Sequence, residues 1–136
     1  LERFINIYLQ ILPYNLDELK VLIKEGQKII EVEDNYHRKF AKQYAFDINI
    51  DGYRGIAMPI RGSSMMFKSI YNPEVYDFMF GFIYNGKTNK IIVSMYTDKD
   101  DIALNKIAER YGGGHRKACG FVIDDFNELL RIVGKK

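Results

Sequence analysis

The stretch Asp77-Phe78-Met79-Phe80-Gly81-Phe82-Ile83-Tyr84, with Asn85-Gly86-Lys87-Thr88-Asn89 and then Lys90-Ile91-Ile92-Val93-Ser94-Met95-Tyr96 behind it, decides the fold. Its first eight residues are apolar on both faces, which suits a central strand covered on both sides rather than one half exposed to water. The next five carry Asn, Gly and Thr, residues that turn a chain by tolerating left-handed backbone or by hydrogen bonding to it. The last seven return as an antiparallel neighbour.

Upstream, the apolar period is two from Ala45. Phe46, Ile48 and Ile50 alternate with polar residues, Asp51-Gly52 turns the chain, and Arg54, Ile56, Met58 and Ile60 continue to Pro59 and Gly62. An Asp-Gly between two alternating runs predicts a hairpin. Residues 63–76 read as a short helix and loop, broken at Asn72-Pro73. Further upstream the period is helical, from Leu16 to about Gln43: Leu16, Leu19, Ile23 and Ile30 lie near one stripe, Asn15 or Asp17 caps the start, and Gly26 marks a bend or a close contact. Residues 1–12 predict a short helix closed by Pro13.

Downstream, Asp100 or Asp101 is expected to cap a helix to about Tyr111 whose apolar face is Ile102, Leu104, Ile107 and Ala108. Gly112-Gly113-Gly114 ends it, Gly120 to Ile123 forms a strand, and Asp125 to Val133 a last helix. The reading is an α/β fold: a compact domain over 45–136 with a mixed β-sheet flanked by helices, preceded by a helical linker arm over 1–44.

Bulk composition narrows the function classes. A net charge of +2 over 136 residues is near balance, which argues against coating long nucleic acid by charge alone and leaves short anionic ligands open. The single cysteine, Cys119, rules out an internal disulfide and a multi-cysteine zinc site, and fits a reducing, cytoplasmic setting. No apolar run approaches a membrane span. The first residue is Leu1 rather than Met, so the chain is expected to be the C-terminal part of something longer.

The most chemically suggestive run is Gly112-Gly113-Gly114-His115-Arg116-Lys117-Ala118-Cys119-Gly120-Phe121. Glycines let backbone N–H groups approach a bulky ligand, and an imidazole with two cations behind them suits an anion, above all a phosphate. One glycine after a helix is an ordinary C-cap, but a cap explains neither the second and third nor the His-Arg-Lys. Elsewhere catalytic groups are few. His37 lies in the long helix, and with His115 as its only companion no histidine-rich metal centre can form. Asp100-Asp101 and Asp124-Asp125 each precede a helix, where capping accounts for them. Ser63-Ser64 has no histidine nearby, and Cys119 reads as a small buried side chain.

Gly112-Gly113-Gly114-His115, two variable residues, then Ala118-Cys119-Gly120-Phe121 resembles the GGGH-x-x-A-A-G-F signature of the DHH-associated domain. That is the C-terminal domain of DHH-family phosphoesterases, among them RecJ-like exonucleases, exopolyphosphatases and oligoribonucleases. Ile92 to Thr97 resembles the strand before that signature, and Asp101, Ile102, Ile107, Ala108 and Tyr111 resemble the helix between. Cys119 replaces an alanine, small for small. Where many members carry an arginine that grips phosphate, this chain has Tyr96, as in the oligoribonuclease B-like branch.

The resemblance implies a substrate-binding lobe. Gly112, Gly113 and Gly114 would offer backbone N–H donors to a phosphate, and His115 a side-chain hydrogen bond. Ser94 and Tyr96 would line the cleft, and Arg116 with Lys117 would steer the substrate. The expected ligand is the phosphate or terminal nucleotide of a short oligonucleotide. The family's Asp-His-His motif is absent from these residues, so no cofactor is expected on this chain. Manganese is expected on an N-terminal DHH domain of the same polypeptide, and the fragment alone is expected to be inactive while its parent is a phosphodiesterase. Alternatives are a non-catalytic nucleotide-binding regulatory module, a tRNA-contacting domain like that of alanyl-tRNA synthetases, and a homodimer made through the arm.

Overall fold

A computed structural model describes residues 15–135, so the expected helix over 1–12 lies outside the described residues. The chain divides into two compact units, 1–36 and 37–136. Helix α1, Leu16–Tyr44, runs through the division. Its start is a reciprocal cap: Asn15 Oδ1 accepts from the backbone N–H groups of Asp17 and Glu18, at 3.1 and 3.0 Å, while Glu18 Oε2 accepts from Asn15 N–H at 2.9 Å. In the first unit Val21, Leu22, Ile23, Ile29, Ile30 and Val32 are exposed along this helix.

The second unit is a five-stranded sheet in sequence order. Strands β1 (Phe46–Ile50) and β2 (Tyr53–Met58) form the expected hairpin around Asp51-Gly52, where both turn residues have positive φ. Strand β3 (Phe78–Asn85) lies parallel to β2, and β4 (Lys90–Tyr96) and β5 (Ala118–Ile123) follow antiparallel. A parallel neighbour requires a crossover. Here it is the segment 59–77, carrying a single 3-10 turn at Ser64–Phe67.

Register sorts the side chains onto two faces. On the inner face Ile48, Ile50, Ala57, Phe78, Phe80, Ile91, Val93, Met95, Phe121 and Ile123 pack beneath helices α2 (Leu104–Ala108) and α3 (Phe126–Ile132). Phe78, Phe80, Met95 and Leu104 have no exposed surface, each burial being worth roughly 1.5–3 kcal/mol. Gly55 is a glycine for this core, since a Cβ there would stand 2.5 Å from the Phe78 ring. On the outer face Ile56, Met58 and Met79 are covered by Phe67 of the crossover and by Phe40 and Ala41 at the end of α1.

Two expectations need correction. Strand β3 is covered on both sides only from Phe78 to Gly81; Ile83 and Tyr84 are exposed, because the crossover stops short of them. The helix expected to run from Asp100 or Asp101 to Tyr111 is one α-turn plus a 3-10 turn at Glu109–Tyr111, and neither aspartate caps it. Its cap position is Ala103, and the Leu104 amide donates to the Arg116 carbonyl at 2.9 Å, which ties the first turn to the approach to β5. Asp100 is instead engaged by Lys117 at 2.5 Å. At α3 the capping expectation holds: Asp125 Oδ1 accepts from Glu128 N–H at 2.8 Å, and Asp124 pairs with Lys90.

Candidate functional site

The glycine run closes α2 and then passes along the free edge of β5. Gly113 N–H donates to the Ala108 carbonyl at 3.0 Å, the long-range bond of a Schellman-type helix end, so this amide is occupied within the chain. Gly114 bridges to Cys119 in antiparallel fashion, and a Cβ at Gly114 would sit 2.5 Å from Cys119 Cβ and 2.7 Å from its Cα. With φ of +138°, +81° and +148°, all three residues occupy the left-handed half of conformational space. Capping and close backbone packing therefore account for much of the glycine requirement. Tyr111 stacks on Phe121 with ring centroids 4.8 Å apart, pinning the loop to the sheet.

After the glycines the chain turns tightly, His115 N–H donating to the Ala118 carbonyl at 2.8 Å. His115 is exposed, and its ring has no hydrogen-bond partner among the described residues. The two cations behind it are engaged on the other flank. Arg116 Nη2 donates to the Asp100 carbonyl at 2.6 Å, and the Lys117 ammonium holds the Asp100 carboxyl below the usual carboxylate range. The pocket beside Gly113 and Gly114, about 390 Å³, is walled by Asn105, Lys106 and Glu109, so an acid partly cancels its cation. Cys119 points inward, its thiol 3.7 Å from the Leu104 carbonyl, and burial pushes that thiol up to about 11.

Ser94 and Tyr96 share the outer face of β4 with Ile92. The Tyr96 hydroxyl donates to the Gly62 carbonyl at 2.6 Å, and the half-buried ring packs against the outer-face cluster. It fastens the segment Ile60–Gly62 across the sheet. Ser94 differs. Its register partners are Gly81 on β3 and Gly120 on β5, so no side chain rises on either side of it. Gly81 lies under the Ile60 carbonyl, which a Cβ would meet at 2.7 Å; Gly120 is exposed. The result is a trough with Ser94 at its floor, the Ile60–Gly62 segment and Tyr96 as one wall, and an open side across Ala118, Gly120 and Val122. The Ser94 hydroxyl has no partner among the described residues.

Of the residues singled out from sequence, Ser94 and Tyr96 are thus adjacent, and Gly112 to Arg116 lead into the strand that pairs with them, Tyr96 lying opposite Ala118. Gly81 and Gly120 are not among the residues to which the sequence assigns a binding role. Their signal was present, since glycine inside a strand marks close backbone approach. Among the described residues no three His, Cys, Asp or Glu side chains converge into a metal-binding group, and no helix is long and apolar enough to cross a membrane.

Among solved structures the chain superposes on a pGpG-specific phosphodiesterase, PggH from Vibrio cholerae, with a TM-score of 0.56 and 12% identity, over 80% of this chain and 40% of that one. It also superposes on an uncharacterized protein from Helicobacter pylori G27, with a TM-score of 0.49 and 19% identity, over 65% of this chain and 28% of that one. The likeness to the phosphodiesterase is one of fold, and the chain spans less than half that enzyme's length. No family model and no curated protein matches the chain.

Proposed function

We propose that this chain is the substrate-binding lobe of a DHH-type phosphodiesterase, holding the phosphate or terminal nucleotide of a short oligonucleotide in the Ser94 trough. The observation that carries this reading is Ser94 beside Gly120, an unpartnered hydroxyl that is open to a tetrahedral anion from the β5 side, the Gly81 side being covered by the Ile60 carbonyl. His115, at the entrance to β5, donates a second hydrogen bond. Tyr96 acts as a positioning residue, holding the Ile60–Gly62 wall. Gly112 and Gly114 shape the loop and Gly113 caps the helix, which leaves Ser94 and His115 as the principal donors. Arg116 keeps four further guanidinium donors and steers an anion from the flank. The chemistry would come from two manganese ions on a partner DHH domain of the same polypeptide. The likeness of fold to a pGpG-specific enzyme makes a 5′-phosphorylated dinucleotide the ligand to try first.

Calorimetry with pGpG tests the reading. Ser94→Ala removes one hydrogen bond to a charged group, worth about 1.5–3 kcal/mol, so affinity should fall by roughly ten- to a hundredfold. Unchanged affinity in both Ser94→Ala and His115→Ala would remove the site. Manganese-dependent turnover by the chain alone would contradict the division of labour.

A further inference from the structure

The outer face has a second feature next to the trough, a pocket of about 370 Å³ at the turn end of β3 and β4, lined by Arg61, Ile83, Tyr84, Asn85, Gly86, Lys87 and Ile92. We infer that this pocket is a second nucleotide subsite, which receives the residue next to the nucleotide held at Ser94 and so selects dinucleotides over mononucleotides; the inference rests on the trough's being the phosphate site.

Ile92 lies two residues before Ser94 on the same face of β4, about 7 Å along the strand, and Ile83, its direct partner, lies two residues beyond Gly81. The pocket therefore lies one side-chain step along β4 from Ser94, on the scale of one step of an extended oligonucleotide backbone.

Ile83 and Ile92 give an apolar platform, and Ile83 is 40% exposed on a strand whose first half is wholly buried. Arg61 and Lys87 flank the platform. Both are exposed, neither has an ion pair or hydrogen-bond partner among the described residues, and no carboxylate lines the pocket. This contrasts with Arg54, Lys90, Lys99, Arg110 and Lys117, each held by an aspartate. The Asn85 side-chain oxygen accepts from Lys87 N–H at 3.0 Å, which orients the turn and leaves the amide NH₂ to donate. An apolar floor, a guanidinium plane, an ammonium and an amide donor suit a base with its sugar-phosphate. Single-stranded bases stack on guanidinium planes and their phosphates pair with cations. A purely apolar partner would leave both cations without a role.

The test is the ratio of affinities of the 136-residue chain for pGpG and for guanosine 5′-monophosphate. Arg61→Ala and Lys87→Ala should each weaken pGpG binding by about five- to tenfold, as expected for a half-exposed charge-assisted contact, while changing mononucleotide binding less than about twofold. Lys87→Arg should restore most of the pGpG affinity. Urea midpoints of the variants should match the parent's, since both side chains stand free. If the two substitutions lower both affinities alike, or neither, the subsite is wrong while the trough stands. If neither nucleotide binds the parent chain, the trough reading falls and the subsite with it.

Discussion

Gly114→Ala separates the packing role of the glycine run from any ligand role. The added Cβ would lie 2.5 Å from Cys119 Cβ and 2.7 Å from Cys119 Cα, and 3.3 Å from the Ala118 carbonyl, on a residue with φ of +148°. The backbone conformation alone costs an L-residue of order 1–3 kcal/mol. The overlap falls on strand β5 backbone, which cannot swing aside, and overpacking of this kind adds about 1–3 kcal/mol. A loss of about 4 kcal/mol is therefore expected, a large share of the stability of a domain this size. Two other glycines calibrate the figure. Gly113→Ala meets no atom within 4 Å but has φ of +81°, so it should cost about 1–2 kcal/mol. Gly86→Ala has an ordinary φ and only Tyr84 Cε1 at 3.8 Å, so it should change stability by no more than about 0.5 kcal/mol. Urea denaturation followed by circular dichroism gives all three differences. If Gly114→Ala costs no more than Gly113→Ala, the bridge between Gly114 and Cys119 is not where the structure puts it, and the account of the loop fails.

Three further outcomes follow from the same structure. Burial raises the Cys119 thiol from 9.0 to about 11, so the unfolded chain loses that proton first. The associated stability is complete below about pH 9 and is lost as pH rises to 11, amounting to about 2 kcal/mol; the gap between the parent and Cys119→Ala should narrow by that much in pH-dependent denaturation, and parallel curves would show an accessible thiol. Asp125→Ala deletes the bond to Glu128 N–H and should lower the urea-derived stability by about 1 kcal/mol, with Asp125→Asn recovering most of it. Tyr96→Phe leaves the Gly62 carbonyl without its donor, so it should cost about 1 kcal/mol and weaken pGpG binding, whereas Ser94→Ala should weaken binding and leave stability within about 0.5 kcal/mol. Equal stability losses in the two would mean that Ser94 has a structural partner.

How much of this was legible beforehand depends on the range of the forces involved. The hairpins at Asp51-Gly52 and Asn85–Asn89 were legible because turn chemistry and strand alternation are local. The caps at Asn15 and Asp125 were legible for the same reason. The helix after Asp101 was overextended because its apolar spacing is helical, while its first amide is drawn to the Arg116 carbonyl, a partner distant in sequence. The bond from the Tyr96 hydroxyl to Gly62 was not legible, because nothing near Tyr96 in the chain shows that the crossover brings Gly62 over it. The trough itself was half visible. Ser94 could be singled out, but that it lies between Gly81 and Gly120 follows only from the register of three strands.

The central claim is that a nucleotide phosphate sits on the outer face of β4 and β5, between Gly81 and Gly120. Intermolecular nuclear Overhauser effects between pGpG and the isotope-labelled chain test it most directly. The account predicts contacts from the ligand to Gly120 Hα, Ser94 Hβ and the Val122 methyls, with none to Phe126 or Leu130 on α3. Ligand contacts confined to the α3 side, or to Asn105 and Glu109 beside the helix end, would contradict it.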